Sequence, residues 1–162
     1  MVAGLVEWER DARVTLVSIG VEVEAPPEEV WAVVSDPRNL AHWDRHIESV
    51  EGAPEDGLHV GATYTTVMRF LHVHARVNTE VLEWSPPFRA KFRLAGLLAA
   101  VVTTTVAPLP GGRSHLEHEV DYRFRGGLIG ELAARSLRLL GGPQFALRHG
   151  TMAQKREIEG RE

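Results

Sequence analysis

The chain contains no cysteine, which excludes disulfides, thiolate metal sites and cysteine nucleophiles. It has almost no lysine: Lys91 and Lys155 stand alone among 18 basic residues, and the arginines are scattered. With 22 acidic residues the net charge is −4. A nucleic-acid surface needs clustered positive charge, so nucleic acid is not an expected partner. Long apolar runs are missing too. The most apolar stretch, Leu94 to Val102, falls far short of the ~20 residues that span a bilayer, so no integral membrane association is expected. Met1 to Arg13 carries Glu7, Glu9 and Asp11 and lacks the apolar run of a secretory signal. The chain therefore reads as soluble and cytoplasmic. It has no phosphate loop, no dinucleotide fingerprint and no Gly-x-Ser-x-Gly elbow.

What is present is an ordinary globular composition, 44% hydrophobic and 25% charged over 162 residues. That length suits a single domain, read as residues 1–162 with a core over about 13–158. Arg13 to Glu24 alternates, with Val17, Ile19, Val21 and Val23 on one face, as a half-buried strand does. Pro26-Pro27-Glu28-Glu29 opens a helix: proline is tolerated in the first turn, and the glutamates complement the helix dipole. Val30, Trp31, Val33 and Val34 form its apolar stripe. Ser35-Asp36-Pro37 ends it and caps a second short helix, whose apolar side is assigned to Leu40, Trp43 and Ile47.

From about His46 to Phe124 the period changes to two. Ala62–Phe70, His72–Trp84, Phe88–Leu94, Ala99–Ala107 and Ser114–Phe124 read as strands, separated by turns rich in glycine and proline. Short turns imply an antiparallel sheet. Beyond Gly126-Gly127, Leu128, Ile129, Leu132, Ser136, Leu139 and Leu140 recur at helical spacing. Gly141-Gly142-Pro143 predicts a kink or interruption, with a second helical piece over about Gln144–Ile158. A wide sheet with one polar face must cover its apolar face, and the C-terminal helix is the long stripe available to do so. The fold class is α+β: a curved antiparallel sheet of six to seven strands around a long C-terminal helix, with two short helices after the first strand.

This order resembles the START-like, helix-grip superfamily, within it the polyketide cyclase/dehydrase and lipid-transport group. The resemblance is carried by Val21-Glu22-Val23-Glu24-Ala25-Pro26-Pro27-Glu28-Glu29-Val30-Trp31-Ala32-Val33-Val34-Ser35-Asp36, by Leu40-Ala41-His42-Trp43, and by Glu80-Val81-Leu82-Glu83-Trp84-Ser85-Pro86-Pro87. It runs from about residue 14 to 158. These are helix starts, core tryptophans and turns, so they mark the fold and not an activity. The resemblance implies an internal cavity between sheet and helix for a lipid, quinone or polyketide-like molecule.

The ligand-binding set assigned to that cavity is Trp43, Tyr64, Met68, Phe92, His118, Tyr122, Leu128, Leu132 and Ser136. Apolar walls with a few polar groups are the usual make-up of small-molecule pockets. His118 is in phase with Leu116, Val120 and Tyr122. Its imidazole either serves as an acid/base, with Tyr122 as partner, or is satisfied by a neighbouring hydroxyl. His72, His74, Arg76 and Asn78 share one strand face, read as solvated; a slip of one residue turns them inward. No cofactor and no metal is expected. Three roles stay open: a binding protein for a hydrophobic ligand, a cyclase, aromatase or dehydratase, and a module presenting a ligand to a partner. The sequence also leaves open a homodimer.

Overall fold

The computed structural model describes residues 15–70, 72–96, 98–124, 135, 139 and 141–160. Strand β1, Thr15–Val23, leads through Ala25-Pro26 into helix α1, Pro27–Val34. A 3₁₀ turn, Pro37–Asn39, and helix α2, Leu40–Trp43, follow. The Asp36 carboxylate accepts from the Arg38 backbone N–H and caps the turn. Then come β2 (Ile47–Glu51), β3 (Thr63–Phe70), β4 (Val73–Ser85), β5 (Arg89–Ala95), β6 (Leu98–Leu109) and β7 (Arg113–Phe124). Helix α3, Gly142–Glu159, ends the described chain.

The strands form one antiparallel sheet in the order β1-β7-β6-β5-β4-β3-β2. This is a helix-grip α+β fold: seven strands, two short helices after the first, and a C-terminal helix. Each alternating run expected between Ala62 and Phe124 is a strand. Ile47 is a correction, since it begins β2 opposite Met68 and does not extend α2. The cause is Asp44. Its backbone turns extended after Trp43, and its carboxylate accepts the His46 N–H at 2.8 Å, which closes a turn where a helix would continue.

Period two is broken once inside β4. The register shifts between Val81, opposite Phe92, and Glu83, opposite Lys91. The extra residue resets the parity, so Trp84 falls on the same face as Val81. Trp84 then meets Trp31 at 5.2 Å and Phe92 at 6.4 Å, ring centroid to ring centroid. Around this aromatic group lies the packed end of the molecule: Val23, Val30, Val33, Trp43, Ala90, Val106, Leu116 and Ile158 form one buried cluster.

Helix α3 is fastened to this end by its C-terminal half. Lys155 Nζ donates to the Glu22 carbonyl at 2.6 Å, and the Glu159 carboxylate accepts from the Glu24 N–H at 3.1 Å. Ile158 is buried beneath it. The interruption expected at Gly141-Gly142-Pro143 is the start of α3. Both glycines take left-handed φ, 97° and 81°, which residues with a Cβ rarely adopt. Leu128, Ile129, Leu132, Ser136 and Leu140 lie outside the described residues. Among the described residues, no helix is long and apolar enough to cross a membrane.

Leu116 is fully buried between β1, β6 and α1. Leu116→Ala is expected to cost ~2–5 kcal/mol. Urea unfolding checks this, and a loss below ~1 kcal/mol contradicts the packing described.

Candidate functional site

The inner face of the sheet is read off the register in rows. One row joins Val17, Val120, Val102, Phe92 and Val81; the next joins Tyr122, Ala100, Leu94, Thr79 and Tyr64. Val120, Val102, Phe92, Leu94, Tyr122 and Tyr64 are only half-buried, whereas Leu116 and Val106, toward α1, are sealed. The face is thus a packed end continuing into a partly covered wall, in which Val17, Val81, Thr79 and Ala100 are buried and Tyr64 and Phe92 pack against the cluster of Leu58, Ala62 and Val81. On β4 it is Ala75, Val77, Thr79 and Val81 that belong to this wall. His72, His74, Arg76 and Asn78 are exposed. His74 faces Glu48 at 3.2 Å and Arg76 meets Glu51 at 2.6 Å, so the polar face of this strand points outward.

His118 stands where the two regions meet, between Leu116 and Val120 on β7. It is 7% exposed. Thr104 Oγ1, directly across on β6, lies 2.9 Å from its Nδ1. Gln154 Oε1, on α3, lies 2.6 Å from its Nε2. An amide oxygen only accepts, so Nε2 carries the proton and the neutral ring leaves Nδ1 to accept from the Thr104 hydroxyl. Burial pushes the His118 pKa down from its ordinary value; the Gln154 hydrogen bond and the charge of Glu117 offset part of that. The imidazole is a neutral link between sheet and helix, with both nitrogens engaged.

Tyr64 is the second polar point of the wall. Burial pushes its phenol up to about 12, offset in part by a hydrogen bond with Thr79. It is a neutral hydroxyl near pH 7. Tyr122 is four residues from His118 on the same strand, a rise of about 13 Å, so the two do not converge on one reacting atom. Met68 is half-buried on the inner face opposite Ala75. Trp43 belongs to the packed end, where its Nε1 donates to Glu157 at 2.5 Å. Leu128, Leu132 and Ser136 lie outside the described residues.

Thr104 and Gln154 escaped the sequence reading although each carries a signal. Thr104 is a polar residue in phase with Ala100, Val102 and Val106. Gln154 lies three residues after Thr151 and four before Ile158, on the buried stripe of α3. An open cleft of about 460 Å³ is lined by outer-face residues, among them Thr63, Thr65, Asn78, Glu80 and Arg93, and also by Tyr64 and Thr79. Its side chains pair with one another, Arg93 with Glu80 at 2.9 Å and Thr65 with Asn78 at 2.9 Å. Among the described residues no group of three or more His, Asp or Glu is placed to hold a metal ion.

The lowered His118 pKa fixes a pH dependence. Below the ordinary value of 6.5 the unfolded chain takes up a proton that the folded chain refuses, so stability falls on acidification. Above 6.5 this group contributes no such slope. His118→Gln is expected to lose less Tm than the wild type between pH 7 and pH 5.5 in thermal unfolding. Equal losses contradict a neutral buried imidazole.

Comparison with curated proteins finds no match. Solved structures match along nearly the whole chain. The Zhui aromatase/cyclase from Streptomyces sp. R1128 superposes with a TM-score of 0.75 at 18% identity, over 92% of this chain and 96% of that one. A START superfamily protein from Mycobacterium smegmatis gives 0.69 at 19% identity, over 91% and 99%. Norcoclaurine synthase from Thalictrum flavum, in complex with dopamine and hydroxybenzaldehyde, gives 0.66 at 14%, over 97% and 93%. At these identities the likeness is one of fold. The description of polyketide cyclase / dehydrase and lipid transport proteins matches residues 12–140, well over half of the sequence, and the chain belongs to that family.

Proposed function

We propose that this protein binds one small hydrophobic or aromatic molecule against the half-covered inner face of its sheet, and that it does so without acid/base catalysis by His118. The observation that carries this reading is the contrast along that face. Leu116 and Val106 are sealed by α1 and α3, while Val102, Val120, Phe92 and Leu94 continue the same apolar surface only half covered. Removing such surface from water favours binding by roughly 25 cal/mol per Å². Phe92, Tyr64, Met68 and Tyr122 are the contacts proposed from the described residues. Leu128, Leu132 and Ser136, outside the described residues, are proposed to complete the site.

A binding role is favoured over a cyclase or dehydratase by the state of His118. A general base must take on a proton, and burial of this ring disfavours its charged form. Here Nδ1 is occupied by Thr104 and Nε2 by Gln154. The family description, which includes lipid transport, and the aromatic molecules bound to norcoclaurine synthase lend support to an apolar or aromatic ligand.

The test is titration with N-phenyl-1-naphthylamine, a neutral probe that fluoresces in apolar surroundings. One saturable equivalent is expected. Val102→Trp, which fills the middle of the wall, is expected to weaken binding about tenfold or more, or ~1.4 kcal/mol. Absence of saturable binding, or a Val102→Trp variant that binds as the wild type does, refutes the proposal.

A further inference from the structure

Gln154 has more hydrogen-bonding capacity than His118 uses. A side-chain amide offers one acceptor oxygen and two N–H donors. The oxygen is committed to His118 Nε2 at 2.6 Å. Among the described residues no acceptor takes the two N–H groups. The residue is nevertheless only 8% exposed. A buried residue thus holds two donors that no described residue takes.

The orientation of this amide is coupled to His118 and Thr104. Exchanging its oxygen and nitrogen sets an N–H against the Nε2–H, unless the imidazole changes tautomer and the Thr104 hydroxyl reverses in the same step. Thr104 and His118 therefore act as positioning residues for Gln154. They stand at the boundary between the sealed end and the half-covered wall, where Val120 and Val102 offer a ligand contact area but no donor.

We infer that Gln154 is a specificity-determining residue of the inner face, presenting its amide N–H groups to a carbonyl oxygen of the bound molecule. This rests on the binding role proposed above and names the ligand class more narrowly: apolar molecules carrying a ketone, quinone or ester carbonyl. An unmet donor in a buried setting rewards an acceptor and discriminates against a ligand without one.

The test pairs 1,4-naphthoquinone with naphthalene, each displacing N-phenyl-1-naphthylamine from the full-length protein. The chain has no thiol for a quinone to alkylate. Two variants are compared with the wild type. Gln154→Leu removes the amide. Gln154→Glu keeps an oxygen for His118 and removes both amide donors, so it decides the matter if the leucine variant does not fold. Naphthoquinone is expected to bind about five- to tenfold more weakly to the variants, with naphthalene within about twofold of wild type. Equal losses for both ligands, or a loss for neither, overturn the inference and leave Gln154 as a structural tie. A wild-type protein that binds neither ligand nor the fluorescent probe overturns the binding role itself, and the inference with it.

Discussion

A neutral imidazole, drawn out of water between a strand and a helix, sets the terms for everything around it. His118 accepts from Thr104 on one side and donates to Gln154 on the other. Losing either partner leaves a buried polar group unsatisfied, at a cost of ~1–3 kcal/mol. That penalty registers α3 against β7, since Gln154 meets the ring at one position along the strand. It also holds the imidazole neutral, because burial disfavours the charged form.

The same link divides the inner face. On one side of it, α1 and the C-terminal half of α3 press Val30, Val33 and Ile158 onto Leu116 and Val106, and the aromatic group of Trp31, Trp84 and Phe92 fills the corner. On the other side, rows of valine, leucine, phenylalanine and tyrosine run on with less cover. A scaffold whose stability is concentrated at one end leaves the rest of an apolar face available to a ligand. The polar partners along that face, Thr104 with His118 and Thr79 with Tyr64, are neutral at pH 7 and suit an uncharged guest.

Much of this was legible in the residues alone. Alternation gave the strands because one face of the sheet is buried and the other carries paired charges, Arg93 with Glu80 and Arg76 with Glu51. The helix start at Pro27 and the break at Gly141-Gly142 were legible because proline and glycine restrict or release φ locally. Two kinds of feature were not. The bulge in β4 depends on how β5 pairs across it, which β4 alone does not encode. Ile47 matched a helical spacing by chance, and a single turn at Asp44 outweighed it. The partners of His118 were hidden for a similar reason: Gln154 is 36 residues away in sequence, and only the docking of α3 brings it to β7. The inward position of His118 was legible from parity, and its neutrality was not.

The division of the inner face into a sealed and an open part is tested most directly by methyl NMR during titration with N-phenyl-1-naphthylamine. The methyl signals of Val102 and Val120 are expected to shift with one binding curve, while those of Val30, Val33 and Val106 hold still. Shifts confined to the Thr63 and Thr65 methyls would place the ligand in the outer cleft and contradict it.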